Sequence, residues 1–218
     1  MKIELMDGSV KEFENAENMF VIAKSISNSL AKKSVAAKVD GELKDMSYVL
    51  DRDAKVEFIT ADSEEGEHII RHSAAHLMAQ AVIRLFPKTK VTIGPAIENG
   101  FYYDFDPEVQ FVPEDLEKIE AEMKKISKED IKIERLEMSR EDAIKHFEAL
   151  GENYKVEIIK DIAQGEMLSF YKQGDFMDLC RGPHVPSTSY IKAFKLKSLA
   201  GAYWRGAVLL YTSPSPRD

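Results

Sequence analysis

Three of the five histidines and the single cysteine fall into two short patterns. The first is His72-Ser-Ala-Ala-His76, and the second is Cys180-Arg-Gly-Pro-His184. Residues four apart on a helix share one face, with Cβ atoms about 5–6 Å apart, so His72 and His76 would project together. The Gly-Pro pair excludes a helix between Cys180 and His184 and predicts a turn. Two imidazoles from a helix, with a thiol and an imidazole from a loop, can therefore converge on one pocket.

This set of side chains allows two kinds of chemistry. Three ring nitrogens and one thiolate are a legitimate tetrahedral zinc set. Neutral imidazoles can also act without a metal as general bases, because the unperturbed pKa of histidine is about 6.5. A structural interpretation stands beside both, since a histidine pair at helical spacing is commonly a packing feature and a lone cysteine is commonly a small buried hydrophobe. The residues alone leave the choice open.

Weaker candidates lie elsewhere in the chain. Asp175 and Asp178 precede Cys180, where a carboxylate could orient an imidazole or bind a substrate hydroxyl, the alternative being a loop aspartate that caps its own backbone. Lys155 could contact phosphate or position a water, unless it is simply solvated. Phe101-Tyr102-Tyr103 could stack a base, although aromatics in a hairpin are commonly core. The sequence has no Walker loop, no dinucleotide-binding glycine pattern and no nucleophile elbow, so nothing in it supports ATP binding.

The elements that precede these residues predict a small β-grasp unit, ordered as in ubiquitin. A hairpin, a helix without Gly or Pro, and further strands follow one another, with Asp-Gly pairs at two turns of the type I′ kind. The predicted elements are strands at 2–6 and 9–13 around Asp7-Gly8, one helix at 19–33, and strands at 36–39, 42–43 and 55–60, with Asp40-Gly41 between the fourth and fifth elements.

A polar, acidic linker is predicted at residues 62–66, and a larger domain follows it. Residues 68–86 contain no Gly or Pro and are apolar on most sides, which predicts a helix buried inside that domain. The fold class is therefore α+β: a small β-grasp domain followed by a larger α+β domain with an antiparallel sheet. The remaining predicted elements are a type I′ hairpin around Asn99-Gly100, helices at 113–128 and 139–150, and strands at 131–138, 154–159, 168–172 and 194–199.

Composition narrows the class of protein. The chain of 218 residues is 44% hydrophobic and 31% charged, which is typical of a globular chain with one large or two smaller domains. One cysteine excludes a disulfide framework and fits a reducing compartment. No apolar run resembles a secretory signal or a membrane helix, so we expect a cytoplasmic protein with no membrane partner. The net charge of −8 argues against a protein coated by nucleic acid.

Four segments carry a family resemblance: IIRHSAAHLMAQAV, IGPAIENGFYYDFD, DLCRGPHVPSTSYIKAFKL and AGAYWRG. In this order behind a β-grasp unit, they resemble the N-terminal half of the bacterial threonyl-tRNA synthetases. The resemblance implies a TGS domain at residues 1–61 and the second additional, or tRNA-editing, domain at residues 67–206. The same histidine and cysteine patterns also mark the editing domains of alanyl-tRNA synthetases and their free-standing relatives, but the TGS unit and the CRGPH context favour the threonyl family.

The resemblance implies a parent protein that charges tRNA(Thr) with threonine at the expense of ATP. The ligase core, with its ATP, Mg²⁺ and Zn²⁺ sites and most of the homodimer contacts, would lie outside this sequence. Residues 207–218 depart from the family pattern, and we expect them to be a non-native tail. The residues present would then carry only the editing centre.

For that centre, the resemblance implies hydrolysis of mischarged Ser-tRNA(Thr), with the tRNA acceptor end and a serine or threonine acyl group as partners. His72 would be the leading base or orienting group for the attacking water and the terminal ribose hydroxyl, and His76, Cys180 and His184 would line the pocket. Lys155 and Asp178 would place a second water or the ammonium and hydroxyl of the substrate. Related alanyl-type domains hold zinc with the positions of His72, His76, Cys180 and His184, whereas the threonyl site is generally described as metal-free, so no cofactor is certain here. The alternatives are a free-standing, zinc-dependent trans-editing hydrolase of the alanyl type and a non-catalytic tRNA-docking module.

Overall fold

The computed structural model describes residues 1–162, 165, 167–204 and 207–215. In it, residues 1–60 form a five-stranded sheet with two short helices. The elements are β1 (Lys2–Leu5), β2 (Val10–Glu12), β3 (Glu17–Asn18), α1 (Met19–Ile26), α2 (Asn28–Lys33), β4 (Ser34–Val39), β5 (Glu42–Asp45), β6 (Val49–Leu50) and β7 (Ala54–Thr60). The sheet order is β2-β1-β7-β4-β5, with β1 and β7 parallel and the other neighbours antiparallel. The β-grasp prediction is confirmed.

The two Asp-Gly turns of this unit differ. Asp40 and Gly41 have φ values of 51° and 88°, as a type I′ turn requires. At the first turn only Gly8 has a positive φ, of 81°, so the type I′ prediction is wrong there. The carboxylate of Asp7 accepts the backbone N–H of Ser9 at 2.9 Å and its hydroxyl at 2.6 Å. These local bonds stabilise a turn in which Asp7 keeps a negative φ.

The single helix predicted at 19–33 is two helices. Ser27 is extended, with φ −161° and ψ 150°, and its hydroxyl accepts the N–H of Leu30 at 3.0 Å. Serine is a favoured N-cap because its oxygen satisfies an N–H that has no partner within the helix. Ser27 therefore ends α1 and begins α2, and the absence of Gly and Pro did not reveal it.

The second part of the chain combines four helices with antiparallel strands, as predicted. Its sheets have the orders β12-β13-β14 and β15-β16-β11-β8, and β9 and β10 form a separate hairpin. The elements are α3 (Glu64–Leu85), β8 (Lys90–Val91), β9 (Ala96–Ile97), β10 (Gly100–Phe101), β11 (Tyr103–Asp106), α4 (Pro113–Glu129), β12 (Ile133–Met138), α5 (Arg140–Ala149), α6 (Asn153–Asp161), β13 (Leu168–Gln173), β14 (Phe176–Leu179), a 3-10 turn (Thr188–Tyr190), β15 (Lys195–Trp204) and β16 (Ala207–Ser215).

Three features of this part differ from the prediction. The segment 154–159, predicted as a strand, lies in α6, where Val156 and Ile159 share a buried face with the three-residue spacing of a helix. The hairpin at Asn99-Gly100 forms, but its two loop residues are Glu98 and Asn99, neither with a positive φ, so it is not a type I′ turn. The strand β14 was not predicted, and it carries Asp178.

Helix α3 joins the two parts of the molecule. Ser63 caps it through the N–H of Gly66 at 3.1 Å, so residues 64–66 of the predicted linker form its first turn. Its buried middle shares one core with Val35, Ala36 and Ile59 of the first part. The helix is therefore buried as predicted, while the division into domains at 61 and 67 stays a prediction.

The end of the chain extends the second sheet. Ala207–Ser215, within the predicted non-native tail, pair with β15 and β11 as β16. Residues 216–218 lie outside the described residues, as do residues 205 and 206 of the AGAYWRG segment. None of the helices in the described part of the chain has the length and hydropathy that crossing a bilayer needs.

Candidate functional site

The helix pair and the loop pair meet in one cluster. The candidate ligand atoms of His72, His76, Cys180 and His184 all lie within 4.8 Å of one another. Cys180 Sγ is 3.2 Å from His72 Nε2 and 3.2 Å from His184 Nε2. The ring of His184 has its centroid 4.5 Å from that of His72 and 4.3 Å from that of His76. The structure thus brings together the four residues that the two patterns singled out, and their roles stay predictions.

The loop pair is held by Gly182 within its own segment and by residues from outside it. Gly182 has a φ of 71° and donates its N–H to Cys180 Sγ at 3.3 Å. A Cβ at Gly182 would lie 1.8 Å from the hydroxyl of Tyr171, so this turn needs glycine. That hydroxyl donates to Asp45 Oδ2 at 2.7 Å, and Asp45 Oδ1 accepts the backbone N–H of His184 at 3.0 Å. A carboxylate of the first domain therefore anchors the loop.

Ser73, between the two helix histidines, orients the third imidazole. Its Oγ is 2.9 Å from Nδ1 of His184 and accepts the N–H of Val185 at 3.1 Å. With Nδ1 occupied by Ser73, Nε2 of His184 is the nitrogen that meets Cys180. Sequence reasoning missed Ser73, because a serine inside a helix carries no functional signal by itself.

A buried ionic network lies beneath His76. Asp178 pairs with the ammonium of Lys155 and accepts the hydroxyl of Tyr103, and its Oδ2 is 3.6 Å from His76 Nε2. Lys155 also donates to the carbonyl of Thr92 and to Tyr103 Oη, the latter at 3.1 Å. Burial is the largest single influence on the pKa of Asp178 and raises it, but the charge of Lys155 and the hydrogen bonds from Lys155 and Tyr103 act together with the neighbouring His76 to lower that pKa overall. The pair is therefore ionic.

Two weaker candidates do not belong to the cluster as the sequence suggested. Asp175 accepts from Gln80 Nε2 at 3.2 Å, and in the part of the chain that the structure describes no hydrogen bond or ion pair joins it to a histidine. Phe101 and Tyr103 are 2% and 0% exposed, so the base-stacking interpretation is wrong for both. Tyr103 instead contributes its hydroxyl to Asp178, a role that its place in an aromatic run did not indicate.

The four side chains of the cluster are uncharged at neutral pH. Burial lowers the pKa of His72 to about 4 and that of His76 to about 3, and it lowers the pKa of His184 well below the usual range. Burial raises the pKa of the Cys180 thiol to about 12. At neutral pH the site therefore presents three uncharged imidazoles and a protonated thiol, which makes Cys180 a poor nucleophile.

The four side chains also fit a metal ion. Tetrahedral zinc with bonds of about 2.0–2.3 Å places its ligand atoms about 3.3–3.6 Å apart, and the cluster needs only small shifts to reach this spacing. Nδ1 of His76 is buried without a hydrogen-bond partner among the described residues. Ser73 supplies His184 with the outer hydrogen bond that metal-binding imidazoles commonly have. The donor set is suited to zinc in both chemistry and geometry.

Comparison with known families identifies two regions of the chain. Residues 1–60 match the TGS domain. Residues 168–206 match the threonyl and alanyl tRNA synthetase second additional domain. The second match includes Asp178, Cys180 and His184.

Similar proteins cover nearly the whole chain. A threonine--tRNA ligase of Fusobacterium nucleatum is 70% identical over 189 residues, which are 86% of this chain and 30% of that protein. Threonine--tRNA ligases of Clostridioides difficile and Coxiella burnetii are 56% and 55% identical over 206 and 204 residues, each covering 94% of this chain. The chain spans about a third of the length of the curated relatives it matches, at 30–32%.

Proposed function

This chain carries the TGS domain and the second additional domain of the N-terminal region of threonine--tRNA ligases, and on that premise we propose that its histidine and cysteine cluster hydrolyses mischarged Ser-tRNA(Thr). The observation that supports this most directly is the meeting of three neutral imidazoles and a thiol above a buried Lys155–Asp178 ion pair. For the whole protein we propose the charging of tRNA(Thr) with threonine at the expense of ATP, as a homodimer.

The chemical need for such a site follows from the two amino acids. Serine lacks only one methyl group of threonine, and a contact of that size discriminates by about 1–3 kcal/mol, or 10–200-fold. A second pocket that admits the seryl ester and excludes the extra methyl group corrects the remaining errors. Rigid walls suit that task, and His76 and His184 are only 3% and 2% exposed.

His72 is the proposed proton acceptor. It is half-buried, whereas His76 and His184 are buried, so it is the imidazole of the three that a substrate or water meets. As a water oxygen adds to the ester carbonyl, a neutral ring nitrogen of His72 takes its proton. The tetrahedral intermediate then loses the ribose oxygen, which receives the proton, and serine is released with a free tRNA 3′ end.

Asp178 and Lys155 are proposed to bind the polar parts of the substrate. A carboxylate has about four acceptor positions. Lys155 and the N–H of Leu179 fill two on Oδ1, and Tyr103 fills one on Oδ2. The remaining position on Oδ2 faces His76 Nε2 at 3.6 Å, and Asp178 is buried, so a water or the ammonium group of the seryl ester would bind there only as His76 moves aside. Lys155 keeps this carboxylate charged inside the protein.

The second candidate function is a zinc-dependent trans-editing hydrolase of the alanyl type, which the fit of the four-ligand set favours. Zinc held by His72, His76, Cys180 and His184 would polarise the ester carbonyl or its attacking water. The third possibility is a module that binds tRNA without catalysing a reaction, and the experiments described next also test it.

The test is the rate of deacylation of Ser-tRNA(Thr) by the protein, by His72→Ala and by His146→Ala. We expect His72→Ala to reduce the rate by about 10²–10⁴-fold, the usual contribution of a general base. His146 is exposed on α5 and serves as the matched control, whose rate should equal that of the parent. Equal rates for all three proteins would contradict the role of His72.

Metal analysis separates the two enzyme candidates. Activity that survives chelation removes the zinc-dependent function, whereas stoichiometric zinc with activity on seryl-tRNA(Ala) favours it. Salt-sensitive tRNA binding without any deacylation would contradict both hydrolase functions and support the non-catalytic docking module.

A further inference from the structure

A second cleft lies on the other side of α3 from the histidine cluster. It has a volume of about 650 Å³, and Ile70, Ala74 and Phe101 contribute its apolar surface. At 100° per residue, the Ile70/Ala74 pair lies about 160° around the helix from the His72/His76 pair. The cleft is therefore separate from the candidate active site.

The rim of this cleft is strongly basic. It includes Lys32 and Lys33 from the last turn of α2, Arg71 from α3, and Lys192 after the 3-10 turn. Its single carboxylate, that of Glu67, pairs with Arg71 at 3.1 Å. Lys32, Lys33 and Lys192 are exposed, and none of them takes part in an ion pair with any described residue.

The unpaired lysines give this cleft a positive charge, whereas the molecule as a whole is negatively charged. The chain as a whole carries −8 and repels a polyanion, so only a local basic surface can accept one. The three unpaired lysines come from two segments that are far apart in sequence, and the cleft is much larger than a single phosphate ion. The hydroxyls of Ser189 and Tyr190 add hydrogen-bonding groups suited to sugars.

We propose that this cleft binds the sugar-phosphate backbone of RNA. The inference rests on the proposed function, because it assigns a second contact surface to the same substrate, whose acylated end would enter the histidine cluster on the other side of α3. Phosphates would pair with Lys32, Lys33 and Lys192, and the apolar surface would exclude water from these contacts.

The test measures binding of an unacylated tRNA(Thr) transcript as a function of NaCl concentration. We expect the double variant Lys32→Ala/Lys33→Ala to bind more weakly, and the slope of log K against log salt to fall by about 0.7–0.9 for each phosphate that a lysine no longer neutralises. The control is Lys24→Ala/Lys145→Ala, which removes the same charge from exposed positions outside the cleft. It should keep the parent slope.

Two results would overturn the proposal. One is an equal affinity and slope for the cleft variant and its control. The other is competition by inorganic phosphate or by polyglutamate, at matched ionic strength, as effective as that by a single-stranded RNA of equal charge. Because the transcript carries no acyl group, RNA binding at the cleft can succeed or fail whether or not the protein hydrolyses Ser-tRNA(Thr).

Discussion

Ser73 shows how a single hydroxyl can organise the candidate site. Its Oγ forms a hydrogen bond with Nδ1 of the His184 ring and accepts the backbone N–H of Val185, and both of these residues are buried. We expect Ser73→Ala to lower the free energy of unfolding by about 1–3 kcal/mol, because two buried polar groups are left without their partner. Urea denaturation measures the change, with the exposed Ser198→Ala as a control. A midpoint equal to that of the control would show that water replaces the hydroxyl.

At the scale of elements, Glu120 fastens α4 to the start of β15. Its carboxylate accepts from Lys124 at 2.6 Å, from Lys195 at 3.4 Å and from the N–H of Leu196 at 3.1 Å. Burial acts to raise the pKa of Glu120, but these hydrogen bonds outweigh it and lower the pKa below the ordinary 4.5.

A lowered folded-state pKa has a defined consequence for stability. The unfolded chain binds a proton near pH 4.5 while the folded chain resists it, so the stabilisation is present above that pH and is lost as the pH falls below it. We expect the free energy of unfolding to fall less steeply between pH 5 and about pH 3 in Glu120→Gln than in the parent. Urea denaturation at several pH values in this range measures the free energy of unfolding, and the control is Glu117→Gln, an exposed position on the same helix. If the free energy changed with pH in parallel for all three proteins, the prediction would be wrong.

At the scale of the molecule, the first domain takes part in building the candidate site. Asp45 lies on β5, yet it bonds Tyr171 and the backbone of His184, 126 and 139 residues away. Through this contact the first domain influences the loop that carries Cys180.

The lone cysteine offers a direct measure of that influence. Asp45→Ala leaves the N–H of His184 without its partner, so we expect the loop to open more often and Cys180 to react several-fold faster with a disulfide reagent. Glu42→Ala, on the same strand but exposed, is the control. Equal thiol reactivity in both variants would show that the loop does not depend on the first domain.

Local signals in the sequence were reliable where neighbouring residues decide the structure. The HxxxH spacing and the Gly-Pro turn depend on residues within a few positions of each other, and each hairpin, helix or strand of the β-grasp unit is a short segment, and the structure bears them out. The failures were local as well: Ser27 broke a helix through its own cap, and a segment with two apolar residues three apart formed α6 instead of a strand.

By itself, the sequence determined the β-grasp unit, the buried helix with its two histidines and the turn between Cys180 and His184, because each depends on short-range periodicity or on backbone restrictions. Only the tertiary structure decided that Ser73, Tyr103 and Asp45 support the cluster and that basic residues from two distant segments share one cleft. Those supporting hydrogen bonds join residues 75 to 139 positions apart, so they depend on how the elements pack and leave no trace in local spacing.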